Sequence, residues 1–174
     1  FKLIQKYHPN AKLIAQYGNE WPIHPDIRNL MYATNLQGIP PTVNAIQYHP
    51  EFDFNTYSPV FQGRNKNMIS SFVNALNINT LFAKDWYDFK EIQRGLPEKQ
   101  VHSFGGGCEN GGLKENEVAA KMRESAFAIH FKEGGDGYGF VIHQLAATGT
   151  PIVFKSSQYR GKLAEVFLED GKTG

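Results

Sequence analysis

Cysteine is almost absent from this 174-residue chain: Cys108 is the only one. A single thiol can close no intramolecular disulfide and build no thiolate metal cluster, so a reducing, cytoplasmic compartment is expected. Excess charge of one sign is missing too. Eighteen Lys and Arg stand against 17 Asp and Glu, a formal net charge of +1. That excludes the broad positive field of a nucleic-acid-binding or membrane-wrapping surface. No apolar run approaches the roughly twenty residues that cross a bilayer, and the opening residues do not read as a basic-then-apolar leader. The six histidines are scattered, and no metal-ligand spacing emerges. No G-x-G-x-x-G follows the first predicted strand of either half, which counts against a generic dinucleotide-binding domain.

What remains is ordinary globular material, 41% hydrophobic, enough for one complete domain plus part of another. The chain opens at Phe1 and closes on "EDGKTG", so a fragment of a longer, two-domain protein is expected. Residues 11–17 and 42–48 read as strands. Between them, 26–38 reads as a helix, with Asp26 as its cap, Ile27, Leu30, Met31 and Thr34 on one face and Gly38 at its end. Two prolines and several turn formers make 49–59 a linker. The predicted domains are 1–53, an acceptor-side tail with its connector, and 54–174.

Past the linker, apolar runs and helical patterns alternate. Strands are predicted at 60–63, 80–84, 100–107, 126–131 and 151–154. Helices are predicted at 68–76 (Ile69, Phe72, Val73, Leu76), 88–95, 114–125, 140–148 and 161–171. Such alternation predicts an α/β fold, a Rossmann-like parallel sheet with helices on both faces. Ligands gather at the carboxyl ends of its strands. The junctions 61–63, 104–107 and 134–139 are expected there.

Two junctions invite an anion. In "DGYGFVIHQLAATGTPIV" (136–153), glycines lead into a helix whose first N–H groups are unpaired and carry partial positive charge. Diphosphates dock at such ends. In "FQGRNKN", Arg64 and Lys66 would follow a strand on the same side, supplying a bidentate fork and a point charge. A tight loop and solvated cations are the plainer alternatives, and the expected convergence of the two sites is what raises both.

The 136–153 stretch resembles the signature of the retaining glycosyltransferases of GT-B fold, family four. The family's pattern is acid–Gly–aromatic–Gly–apolar, a second acid eight residues on, then small residues and "GTPVV". "VFQGRNKN", "QVHSFGG" and "GKLAEVFLEDGKTG" are similar to further segments of its C-terminal domain, so that the resemblance spans roughly 43–174. It implies hexosyl transfer from a nucleotide-diphosphate sugar to a glycan or lipid-linked acceptor, with retention and without a metal or other cofactor. Polysaccharide assembly is the usual setting, with peripheral association at the inner membrane surface. By the resemblance, Arg64 and Lys66 neutralise the leaving diphosphate. The N–H groups around Gly137, Tyr138, Gly139 and Phe140 hold the distal phosphate. Asp136 faces the sugar hydroxyls, with Glu133 as its substitute. Gln144 accepts from the ribose, and Gly105 and Gly106 lie by the base. The family's acids are usually glutamates; here one is shortened to Asp136 and the other neutralised as Gln144. A sugar-nucleotide epimerase of the same fold, or a domain that binds nucleotide sugars with weakened catalysis, are the alternatives.

Overall fold

The computed structural model describes residues 2–18, 22–33, 39–59 and 63–168. The chain divides into two compact units, Phe1–Glu51 and Phe52–Gly174.

In the first unit, helix α1 (Lys2–Tyr7) precedes strands β1 (Ala15–Tyr17), β2 (Asn29–Tyr32) and β3 (Asn44–Gln47). They form a parallel sheet in the order β1-β2-β3. The helix expected over 26–38 is thus replaced by a strand, with Thr34–Gly38 outside the described residues. Buried Ile27, Leu30 and Ala33 recur every third residue and imitate a helical face. The segment instead pairs on both sides, Leu30 opposite Ala15 and Ala45, and ladder pairing overrides local propensity.

The second unit carries β4 (Asn65–Ser71), α2 (Ala83–Gly95), β5 (Gln100–Ser103), α3 (Glu115–Glu124), β6 (Ser125–His130), α4 (Phe140–Ala147), β7 (Ile152–Phe154) and the short α5 (Ser156–Tyr159). The sheet is parallel throughout, in the order β5-β4-β6-β7. Strand neighbours alternate between two apolar layers. Ile69, Val73, Val101 and Ile129 face Phe82 and Phe89, with Trp86 packed alongside. Met68, Phe72, Ala128 and Ile152 face Met122, Ile142, Leu145 and Tyr159. Both faces of the sheet are therefore covered, as parallel sheets require.

Two expectations fail here, and a third lies largely outside the described residues. The strand expected at 60–63 falls mostly on residues 60–62, outside the described residues; the first described strand of this unit begins at Asn65. The helix expected at 68–76 is the second half of that strand and a turn. Met68 to Val73 are buried without a break, Ser70 and Ser71 included, so the segment lacks a strand's alternation and Ile69, Phe72, Val73 and Leu76 can be read at helical spacing. The strand expected at 80–84 is a 3-10 turn, Thr80–Phe82, leading into α2. Asn79 caps it, its side chain accepting from the Leu81 N–H, and a capped entry favours helix. Near the end, a 3-10 helix, Leu163–Phe167, stands where a longer α-helix was expected to 171; residues 169–174 lie outside the described ones.

Candidate functional site

Strand β4 is followed in space by β5 on one side and β6 on the other, so the connections diverge between β4 and β6. At such a switch point the carboxyl ends leave a crevice. A cleft of about 380 Å³ opens there, lined by Phe72 and Asn74 after β4, Phe104 to Gly106 after β5, and Val141 and Gln144 of α4. Tyr57 and Glu115 complete its wall. Unit 2 is Rossmann-like. The chain matches no protein-family model and no curated protein.

The glycine loop after β5 is bolted to the loop after β4. Asn74 Oδ1 accepts the Gly106 N–H at 3.0 Å, and the Ala75 N–H donates to the Gly106 carbonyl at 2.8 Å. Gly105 has φ +143°, and a Cβ there would lie 2.6 Å from Asn74 Oδ1 and 3.0 Å from Asn74 Cα. Glycine is needed for that approach. Gly106 differs: a Cβ there would meet nothing within 4 Å, so it leaves open space in the cleft. Phe72 and Phe104 stack at 5.7 Å, with His102 stacked on Phe104 at 5.6 Å, and give the cleft an aromatic side. Cys108 is buried and donates its S–H to the Val73 carbonyl.

Gln144 is one turn along α4 from Val141, and both face this cleft. Burial pushes the Tyr57 hydroxyl's pKa up, the charge of Glu115 adds to that, and a hydrogen bond with Gln144 acts against it. Tyr57, Glu115 and Gln144 thus form one polar corner. Sequence reasoning missed Tyr57, Asn74 and Glu115. Tyr57 reads as linker, Asn74 fell inside a helix that does not exist, and Glu115 is an ordinary first-turn acid.

Helix α4 starts from Gly139, which adopts a left-handed conformation (φ 77°, ψ 49°) without a side-chain cap. A Cβ there would lie 2.6 Å from Ala164 Cβ, so the turn Gly137–Tyr138–Gly139, buried in the fold, sits against the 163–167 segment. Tyr138 stacks on His143 at 4.3 Å, and His143 Nδ1 lies 2.9 Å from the Gly139 carbonyl. Phe140 is half exposed and contacts Phe52. The uncapped end therefore reaches the cleft through Val141 and not through the glycines.

Asp136 is nearly buried, its side chain 13% exposed. His130 Nε2 lies 2.8 Å from its Oδ2, and Lys132 Nζ pairs with its Oδ1. Burial alone would raise the carboxyl's pKa. The hydrogen bonds and charges of His130 and Lys132 outweigh that and hold it at about 2. The ionised Asp136 accepts, so the His130 Nε2–H donates. Glu133 is exposed; its carboxylate lies 3.5 Å from Gln158 Nε2, apart from Asp136.

The expected cation pair is elsewhere. Arg64 precedes β4, at the sheet's amino edge. Its guanidinium donates to the carbonyls of Ser125 (3.0 Å), Thr148 (3.1 Å) and Gly149 (2.7 Å), and to Thr150 Oγ1 at 3.3 Å. Thr148 and Gly149 end α4, whereas Gly139 begins it, and eight helical residues separate the two by about 12 Å. Lys66 is exposed near the same amino edge. The start of the strand decides this: with β4 beginning at Asn65, the loop before it emerges from the opposite edge to the loops after β5 and β6. Among the described residues, no group of three or more His, Cys, Asp or Glu is placed to hold a metal. No described helix is long and apolar enough to cross a membrane.

Proposed function

We propose that unit 2 is the nucleotide-sugar-binding domain of a glycosyltransferase of the retaining GT-B kind, with its nucleoside in the cleft between the β4 and β5 loops. One observation carries this reading: Gly105, Gly106 and Gln144, three positions the family resemblance assigns to the nucleoside, meet around a single cleft at the switch point. Phe72 and Phe104 supply faces for a base, and Gln144 and Glu115 supply acceptors for ribose hydroxyls. The uncapped start of α4, adjoining through Val141, supplies N–H donors for phosphate oxygens. In the transfer reaction, breaking the bond between sugar and diphosphate builds negative charge on the leaving group, and fixed N–H dipoles aimed there stabilise it without reorganising.

Arg64 and Lys66 have no part in this version. A second reading, nucleotide-sugar binding with weakened catalysis, is favoured by Asp136. Its carboxylate is occupied by His130 and Lys132 and is not free to face a sugar.

The test is a calorimetric titration of the chain with UDP, GDP, ADP and the parent nucleosides. Saturable binding that depends on the diphosphate is expected. Gly106→Leu fills open space at ordinary backbone angles, so it should abolish binding with an unchanged melting temperature. Gln144→Ala should weaken binding about 2- to 10-fold, the worth of one neutral hydrogen bond. Absence of saturable binding for every nucleotide overturns the proposal. Binding without turnover of any nucleotide sugar by the full-length protein selects the second reading.

A further inference from the structure

A second hollow, of about 360 Å³, lies where β6 and β7 end, and it shares no lining residue with the nucleotide cleft. Its wall gathers four cations, Lys84, Lys155, Arg160 and Lys162, against one acid, Glu133. They come from three places in the chain: the first turn of α2, the end of β7, and the turn after α5. Like charges brought together repel, so each needs compensation.

Lys155 has it. Asp85, fully buried beneath the hollow, accepts Lys155 Nζ at 2.5 Å, and Asp88 pairs with the same ammonium at 2.7 Å. Asp85 also accepts from Gln158 Nε2 at 2.9 Å and from the Glu133 N–H at 2.6 Å. Its lone pairs are thereby committed, and it braces α2, the β6 loop and α5 around one floor. Lys84 and Arg160 differ: both are exposed, and among the described residues neither side chain makes a hydrogen bond or an ion pair. Lys84 also sits in the first turn of α2, the end of a helix that disfavours a cation and favours an anion.

We propose that this hollow binds a phosphate dianion, engaged by the fork of Arg160 and the ammonium of Lys84, independently of the nucleotide site. Its volume falls at the lower end of small-molecule sites, roughly 300–1,000 Å³. There is room for the organic body of a phosphate monoester beside the dianion.

The experiment follows backbone amide resonances of the full chain during titration with inorganic phosphate, with glycerol phosphate, and with sodium chloride at matched ionic strength. Saturable shifts are expected at Gly134 and Ser157 for both phosphates and not for chloride. Tighter binding of glycerol phosphate identifies an ester as the source, and equal affinity identifies the free ion; either supports the dianion site. The double substitution Lys84→Gln/Arg160→Gln alters only exposed side chains. It should weaken both phosphates about 10-fold or more, and Gln144→Ala should leave them unchanged. Chloride reproducing the shifts, the double variant binding as the parent does, or loss of phosphate binding in Gln144→Ala would each overturn the proposal.

Discussion

A carboxylate gripped by an imidazole and an ammonium serves better as a loop anchor than as a partner for sugar hydroxyls, and Asp136 is such a group. Its folded pKa of about 2 lies below the usual aspartate value of 3.8. The stability it contributes is therefore complete above pH 4 and is lost as pH falls through 2. The difference of nearly two units corresponds to about 2 kcal/mol. Denaturant unfolding from pH 5 down to pH 2 should show the parent losing about that much more than Asp136→Asn, and parallel curves would remove the anchor. The acid–Gly–aromatic–Gly pattern locates Asp136 in the chain, but nothing in it reveals the grip. His130 is the last residue of a strand and Lys132 belongs to the following loop, and only the turn at 132–136 folds both back onto Asp136.

At the scale of elements, α4 is held differently at its two ends. Its start rests on a left-handed glycine packed against Ala164. Its end rests on Arg64, which satisfies the carbonyls of Thr148 and Gly149 that the helix leaves open. Removing a guanidinium that makes four hydrogen bonds exposes buried acceptors, so Arg64→Ala should destabilise the fold by about 2–4 kcal/mol. Nucleotide affinity of the folded variant should stay unchanged. Urea unfolding and calorimetry separate the two effects, and a selective loss of diphosphate binding would restore Arg64 to the site. Helices α3 and α4 and strands β5, β6 and β7 are legible in the sequence, because caps, glycines and apolar spacing agree there. Strand β4 is not. Buried on both faces, it lacks alternation, and misplacing it by a few residues moves Arg64 from one edge of the sheet to the other.

The two units differ in how much each buries. Among the described residues, the first buries only Ile27, Leu30 and Ala33 as apolar side chains, and every residue of β3 is exposed. The second has two apolar layers, one on each face of its sheet. Small sheets with little core open easily. Amides of β1–β3 should therefore exchange with deuterium about tenfold faster or more than those of β4 and β6. Equal protection in native-state exchange would mean that the two units unfold together.

Alternation of apolar runs with helical patterns, and the glycine-punctuated junctions after β5 and β6, were enough by themselves to indicate a parallel α/β sheet and the loops at its carboxyl edge, because those signals are local. Which loops share that edge was a matter for the tertiary structure alone. A strand's direction and starting residue are set by ladder pairing with distant segments, so the place of Arg64, the grip on Asp136 and the meeting of Asn74 with Gly106 exist only once the sheet has formed.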